Sequence, residues 1–241
     1  MWQGKGTRNL LHVLLGCRSK KDVAKMLVVI VGTDGAGKTS LSKAVNLALQ
    51  RRSIKSSSLN RFGILDHHAT PSAGFINSDV EGLRQYALDM HASARLLFYL
   101  WSMAVTVTSQ MSVAGNQQVI IYDSYWLKHV AVEIAFGADE HLAVAAGKLL
   151  PEPDLTIYLK APPEALYERK IGDLVAYECG LDPTCSRQSF IAHQRRLKER
   201  LDFWSSQNGW LEFDALQSTD DLAAALVPIV MDRFSQLQAT S

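Results

Sequence analysis

Apolar positions in this chain fall into short runs that alternate with longer segments of helical spacing. Helical periodicity is clear at Leu41, Val45 and Leu49, over residues 78–112, and from about Asp220 to Leu237. The apolar runs predict strands at 27–31, 54–59, 119–123, 154–159 and 210–214. Strands separated by helices predict an α/β fold with a doubly wound parallel sheet, in which ligands bind at the carboxyl ends of the strands.

The first predicted strand runs directly into a glycine-rich loop. The sequence Gly32-Thr-Asp-Gly-Ala-Gly37-Lys38-Thr39 fits the pattern G-x-x-x-x-G-K-[ST], and a helix follows it. Glycines let backbone N–H groups turn toward a phosphate, and the positive end of the helix dipole points at the same anion. The loop therefore predicts a P-loop NTPase, with Lys38 on the phosphates and Thr39 on Mg²⁺. The residues expected at this cofactor site are Gly32, Asp34, Gly35, Ala36, Gly37, Lys38, Thr39 and Ser40.

Two aspartates are placed where they would meet the phosphates. Asp123 closes an apolar strand, a position from which a carboxylate joins the Mg²⁺ shell or holds the acceptor; the alternative is that it only caps the next turn. Asp34 lies inside the loop, where the triphosphate repels it unless it binds an acceptor hydroxyl or a cation. Asp34 therefore favours a sugar-like acceptor.

A basic and polar segment follows the fourth predicted strand. Arg169, Lys170 and Arg187 are expected to close over the site, because cationic side chains stabilise the charge that develops in phosphoryl transfer. The following stretch contains glycines, a proline and two cysteines, and we predict a lid over about residues 168–192. The basic residues at 195–200 are interpreted as a solvated helix face.

Composition limits the classes of partner. The 241 residues fit one domain at 26–238 after an amphipathic extension at 1–25, and the net charge of +1 gives no general attraction to nucleic acid or to an anionic membrane. No apolar stretch is long enough to span a membrane. Cys17, Cys179 and Cys185 are too few and too far apart for a zinc site or a disulfide framework. We therefore expect a cytoplasmic protein with a small-molecule partner.

In order and spacing these motifs resemble the thymidylate kinases, within the P-loop nucleoside monophosphate kinases. Beside the P-loop, the resemblance is carried by Leu96-Leu97-Phe98, Asp123-x-Tyr125, the strand after Pro153 and the pair Glu168-Arg169, and it covers roughly residues 26–235. It implies a five-stranded parallel sheet, ATP and Mg²⁺, and often a homodimer. It also implies transfer of the γ-phosphoryl group of ATP to a nucleoside monophosphate such as dTMP.

The resemblance also implies roles for individual residues. Asp34 would meet the 3′-hydroxyl of the acceptor sugar, Phe98 would stack on the acceptor base, and Arg61 would reach the acceptor phosphate. Other positions are candidates for the same site, although an aromatic or a helix-face residue is also compatible with the core. The catalytic candidates are Lys38, Asp123 and Arg169, the metal ligands Thr39 and Asp123, and the further acceptor-pocket candidates Arg95 and Tyr125.

The chain departs from the thymidylate kinases on the acceptor side. Ser124 stands where those enzymes carry an arginine after the strand-end aspartate, and residues 101–103 replace the stretch of their base-reading arginine. The loop from Arg61 to His68 lacks their Glu-Pro-Gly-Gly sequence. The acceptor therefore stays open. The alternative is a kinase that acts on a hydroxyl of a nucleoside, a modified nucleotide or another small metabolite, with Asp34 or Asp123 as the base.

Two interpretations outside kinase chemistry have less support. Asp79-Val-Glu-Gly82 matches the D-x-x-G of GTPase-like switches, but it follows no apolar strand and the sequence contains no guanine-reading N-K-x-D. An inactive nucleotide-binding scaffold would not require an intact Gly37-Lys38-Thr39 together with Asp123. Phosphoryl transfer is therefore the leading prediction.

Overall fold

The computed structural model describes residues 25–112 and 118–240. Within them are the strands β1 (Lys25–Gly32), β2 (Ser56–Leu59), β3 (Gln118–Asp123), β4 (Leu155–Lys160) and β5 (Leu211–Asp214). These five strands form one sheet in the order β2-β3-β1-β4-β5, and every neighbouring pair is parallel. The predicted α/β fold with a five-stranded parallel sheet is confirmed.

Eight α-helices flank the sheet in the described part of the chain. They are α1 (Lys38–Gln50), α2 (Val80–Asp89), α3 (Ala92–Ser112), α4 (Trp126–Ala135), α5 (Glu140–Gly147), α6 (Pro163–Lys170), α7 (Arg187–Asn208) and α8 (Thr219–Thr240). Short 3₁₀ turns lie at Gly63–Leu65, Pro71–Ala73 and Ala176–Cys179. Each connection between parallel strands contains at least one helix, as parallel pairing requires.

Alternate side chains of β1 enter two separate apolar cores on opposite faces of the sheet. Met26, Val28 and Ile30 pack with α1 and α8, whereas the residues between them pack with α3, α4 and α7. All of these β1 side chains are completely buried. Since burial of each such side chain contributes about 1.5–3 kcal/mol, β1 anchors the fold and holds the start of the glycine-rich loop in a fixed place.

Several elements differ from the prediction. The helical pattern at 78–112 is divided into α2 and α3, because Met90 has an extended backbone with φ −69° and ψ 144°. β2 begins at Ser56 rather than at residue 54. The prediction also contains neither α4 nor α5. Eight of the ten residues of α4 are buried, the polar residues Lys128, His129 and Glu133 among them.

The predicted extension at 1–25 lies outside the described residues, except for Lys25, which begins β1. In the part of the chain that the structure describes, no helix is long and apolar enough to cross a membrane. Cys179 and Cys185 are free thiols.

Candidate active site

The loop between β1 and α1 has the backbone of an anion-binding site. Gly35 and Gly37 have φ values of +87° and +83°, which residues other than glycine rarely adopt. Gly37 caps α1, and among the described residues no side chain accepts from the N–H groups of the first turn as a cap. A Cβ at Gly37 would meet no atom within 4 Å, so the space there is open. These N–H groups therefore favour a phosphate.

Lys38 is a buried cation beside this loop. Its Nζ donates to the carbonyl oxygen of Thr33 at 2.7 Å. Burial lowers the pKa of Lys38 from its usual value, and the nearby carboxylates of Asp34 and Asp123 oppose that decrease. Within the described residues, no carboxylate oxygen lies within the 4.0 Å of an ion pair with this ammonium. Lys38 is therefore placed to meet an anionic ligand.

Thr39 and Asp123 meet at the carboxyl ends of β1 and β3. The hydroxyl of Thr39 donates to Oδ2 of Asp123, and the hydroxyl of Ser124 donates to Oδ1 at 3.0 Å. A hydroxyl and a carboxylate are hard oxygen ligands, of the kind that bind Mg²⁺ together with phosphate oxygens. No group of three His, Cys, Asp or Glu side chains in the described ranges could hold a metal ion. The chemistry of Thr39 and Asp123 therefore fits a Mg²⁺ ion shared with a phosphate.

Asp34 has protein partners on both carboxylate oxygens. Nζ of Lys128 lies 3.0 Å from Oδ1, and Nε2 of Gln194 donates to Oδ2 at 3.2 Å. The Asp34 N–H donates in turn to Oε1 of Gln194 at 2.9 Å. Burial alone would raise the pKa of Asp34, but Lys128 and Lys38 hold it well below its usual range. A contact between Asp34 and an acceptor hydroxyl would therefore compete with these partners.

The sequence-based prediction omitted both Lys128 and Gln194. Gln194 follows Asp34 by 160 residues, so no local pattern joins them. A signal for Lys128 is nevertheless present, because α4 places Lys128, His129 and Glu133 in an otherwise apolar segment. Charged residues are rarely buried without partners. Polar residues in a fully buried helix therefore indicate an internal network.

Arg61 follows β2 and packs against aromatic rings and His129. Its guanidinium carbon lies 5.0 Å from the centre of the Tyr99 ring, and Nη1 lies 3.4 Å from Nε2 of His129. Nε of Arg61, Oη of Tyr99 and Nδ1 of His129 are buried and have no hydrogen-bond partner within the described structure. Because each unpaired buried polar group is costly, this cluster is a candidate contact for a polar ligand.

Arg95 lies in an internal ion pair. Its Nε and Nη2 donate to Oε1 and Oε2 of Glu133 at 2.7 and 2.8 Å, and Nη1 donates to the carbonyl oxygen of Met90 at 3.2 Å. Tyr177 also donates to Oε1 of Glu133 at 3.1 Å. Arg95 and Glu133 are both buried. These contacts engage the guanidinium of Arg95 in the core, so we do not include it among the proposed acceptor contacts.

The two aromatic candidates for the acceptor site also have structural contacts. Tyr125 is completely buried and donates to the carbonyl oxygen of Pro151 at 3.1 Å. Phe98 is half-buried, with its ring 5.8 Å from that of Tyr99 and 6.2 Å from that of Trp101. Phe98 thus retains an accessible face near the Arg61 cluster, whereas Tyr125 belongs to the core.

The predicted lid begins at the end of α6 and continues through the 3₁₀ turn into α7. Lys170 donates to Oε1 of Glu178 at 2.6 Å, and its side chain lies so close to Gly35 that a Cβ there would be 3.1 Å from Cγ of Lys170. Nε2 of Gln194 donates to the carbonyl oxygen of Glu178 at 2.8 Å. Lys170 and Gln194 therefore connect this segment directly to the P-loop.

Arg169 and Arg187 have contacts elsewhere. Arg169 donates to the carbonyl oxygens of Ala215 and Leu216 at 2.6 and 3.2 Å, in the turn after β5. Arg187 is exposed, and its Nε lies 3.5 Å from Oε1 of Glu168. Of the three predicted lid cations, Lys170 is the one that the structure brings against the P-loop.

Comparison with known proteins gives one distant relative and no matching family model. The chain is 27% identical over 161 residues to a probable thymidylate kinase from Archaeoglobus fulgidus. The match covers 64% of this chain and 74% of the relative. The similarity thus extends over most of the length of a protein named as a nucleotide kinase.

His193, next to Gln194, predicts a pH-dependent stability. Its ring stacks on Phe136 with centres 5.0 Å apart, and burial lowers its pKa from 6.5 to about 4, with Asp34 opposing and Lys128 and Arg196 adding to the decrease. Between these two pKa values the folded state binds fewer protons at His193 than the unfolded state does. The stabilisation that comes from neutral His193 is therefore complete above pH 6.5 and is lost as the pH falls toward 4.

We expect the His193→Phe substitution to remove this pH dependence. From the two pKa values, His193 lowers the free energy of unfolding of the wild type by about 2 kcal/mol when the pH falls from about 7.5 to about 5. Urea denaturation at both pH values measures this decrease, with His141→Phe at an exposed position as the control. An equal decrease in the free energy of unfolding in wild type and in His193→Phe would contradict the role of His193.

Proposed function

We propose that the protein transfers the γ-phosphoryl group of ATP to the phosphate of a nucleoside monophosphate, with dTMP as the first candidate. One observation carries the proposal. Within the described residues, Lys38 and Arg61 have no ion-pair partner: Nζ of Lys38 donates to the Thr33 carbonyl oxygen inside the glycine-rich loop, and Nη1 of Arg61 lies 3.4 Å from Nε2 of the buried His129. Two separate anionic ligands, a triphosphate at Lys38 and an acceptor phosphate at Arg61, would neutralise these cations.

The donor side of this proposal rests on the P-loop. The phosphates of ATP would lie against the N–H groups at the start of α1 and against Lys38. Mg²⁺ held by Thr39 and Asp123 would neutralise charge on the phosphate oxygens. Lys170, packed on Gly35, would help to cover the phosphates and exclude water. The similarity to the probable thymidylate kinase supports the same assignment.

The acceptor's own phosphate is the nucleophile in this reaction. One of its oxygens forms the bond to the γ-phosphorus, and the bond from that phosphorus to the bridging oxygen of ADP breaks. The attacking oxygen is already ionised at neutral pH, so no side chain has to accept a proton. Asp34 agrees with this scheme, because its low pKa and its pairing with Lys128 make it a weak base.

The alternatives have less support from the site. A hydroxyl acceptor needs a base, whereas Asp34 is paired with Lys128 and Asp123 accepts from Thr39 and Ser124. The D-x-x-G match of GTPase-like switches lies at the N-terminus of α2. There the Asp79 carboxylate accepts from the N–H of Gly82 at 2.7 Å on an exposed surface, which is a helix-capping role.

We expect the purified protein to release ADP from ATP and Mg²⁺ with dTMP and not with thymidine. The assay would compare each nucleoside monophosphate with its nucleoside and identify the phosphorylated product by ³¹P NMR. A diphosphate product is expected, because the new bond forms on the acceptor phosphate. Turnover of a nucleoside without turnover of any monophosphate would contradict the proposal and favour the hydroxyl acceptor.

A further inference from the structure

We infer that Lys128 binds the acceptor phosphate and takes the place of the arginine that is missing at Ser124. This inference rests on the proposed function. Nζ of Lys128 lies 3.0 Å from Oδ1 of Asp34, inside the P-loop, and 3% of its side chain is exposed. A cation is therefore present beside the P-loop, four residues after Ser124, the position at which the thymidylate kinases carry an arginine.

The place of Lys128 in the fold is unfavourable for a positive charge. The side chain is buried, and it projects from the first turn of α4, where the helix dipole repels cations. One carboxylate, that of Asp34, is its ion-pair partner among the described residues. An ammonium has three N–H donors, so Lys128 retains donors for a second anion while it stays paired with Asp34.

The neighbouring groups fit the same anion. Arg61 approaches Nε2 of His129 with a donor, so the neutral His129 ring carries its proton on Nδ1, and Nδ1 is completely buried without a partner. Burial, Arg61 and Lys128 lower the pKa of His129 well below its usual value, which keeps the ring neutral. Arg61 thus contacts the His129 ring, Lys128 precedes His129 in α4, and the three residues bring two cations and one N–H donor to the start of this helix. A phosphate monoester has the charge and the acceptor oxygens for this set.

The alternative role for Lys128 is to neutralise Asp34 and nothing more. The two roles predict different results when Asp34 is also made neutral. If Lys128 only balances Asp34, the double variant has the same Michaelis constant for the acceptor as Asp34→Asn. If Lys128 binds the acceptor phosphate, the Michaelis constant for the acceptor is higher in the double variant than in Asp34→Asn.

The experiment measures KM and kcat for dTMP and ATP in wild type, Lys128→Met, Asp34→Asn and Asp34→Asn/Lys128→Met. Loss of a charge-assisted hydrogen bond raises KM for dTMP by about 10- to 100-fold in Lys128→Met, and KM for ATP stays within about threefold. The double variant keeps a raised KM for dTMP relative to Asp34→Asn. It leaves neither Asp34 nor Lys128 as an unpaired buried charge, so it serves if Lys128→Met does not fold. Lys43→Met, at an exposed position of α1, is the matched control.

Binding of dTMP and of thymidine by calorimetry gives a readout independent of turnover. Lys128→Met weakens binding of dTMP and leaves binding of thymidine unchanged, because thymidine has no phosphate. If the double variant has the same KM and kcat for dTMP as Asp34→Asn, the inference about Lys128 is overturned. The proposed function is still upheld in that case, provided that the wild type turns over dTMP. A wild type that phosphorylates no monophosphate would overturn both.

Discussion

The Lys38→Met substitution is expected to lower kcat for phosphoryl transfer by about 10²- to 10³-fold. Lys38 is buried beside the loop and donates to the Thr33 carbonyl oxygen. Charge develops on the oxygens of the transferred group, and a fixed cation in a site without water stabilises that charge more than it stabilises the ground state. Methionine keeps most of the length of the side chain and removes the charge.

The measurement is ADP release under saturating ATP and acceptor, with Lys43→Met as the matched control on the same helix. Lys43 is exposed, and we expect its substitution to leave kcat within about twofold. Thermal unfolding of both variants shows whether the fold is kept. A folded Lys38→Met variant with at least one third of the wild-type kcat would contradict the role of Lys38 and the P-loop interpretation with it.

The Glu133→Ala substitution is expected to lower the free energy of unfolding by about 3–5 kcal/mol. Glu133 is completely buried and accepts two hydrogen bonds from Arg95 and one from Tyr177. Its removal leaves the buried guanidinium of Arg95 without a counter-charge, and such a charge is costly to desolvate. The affected contacts join α3, α4 and the 3₁₀ turn of the lid segment.

Urea denaturation of single and double variants would test this second prediction. Arg95→Met/Glu133→Leu removes both charges, and we expect it to be more stable than either single variant, because no unpaired charge remains. Glu81→Gln in the exposed pair with Arg84 is the control, with an expected loss below about 1 kcal/mol. A loss below about 1 kcal/mol in Glu133→Ala would show that the internal pair does not stabilise the fold.

The same ion pair also connects α4 to its neighbours. Glu133 lies in α4 five residues after Lys128, and Arg95 connects it to α3. Tyr177 connects it to the segment that carries Glu178, the partner of Lys170. A variant that loses this pair is therefore expected to weaken the placement of Lys128 beside Asp34 as well.

The sequence alone was sufficient for the parallel sheet and for the place of the glycine-rich loop between β1 and α1. β1 and β3 are continuous apolar runs, because strands covered on both faces contain few polar positions. The phosphate-binding loop is a single contiguous stretch, so the spacing of Gly32, Gly37 and Lys38 already determines which backbone and side-chain groups converge. Asp123 was identified for a related reason, since parallel strands end at one edge of the sheet.

The polar network around Asp34 and Arg95 depended on contacts that no local pattern contains. The sequence-based prediction contained neither α4 nor its buried polar residues Lys128 and Glu133, whose ion-pair partners Asp34 and Arg95 are distant in the sequence. Arg95 was a candidate for the acceptor pocket because of its position on a helix, but its partner lies 38 residues away. Only the tertiary structure decided that Arg95 pairs inside the core and that Lys128 lies beside the P-loop, because burial makes a charge depend on whichever partner the fold brings to it.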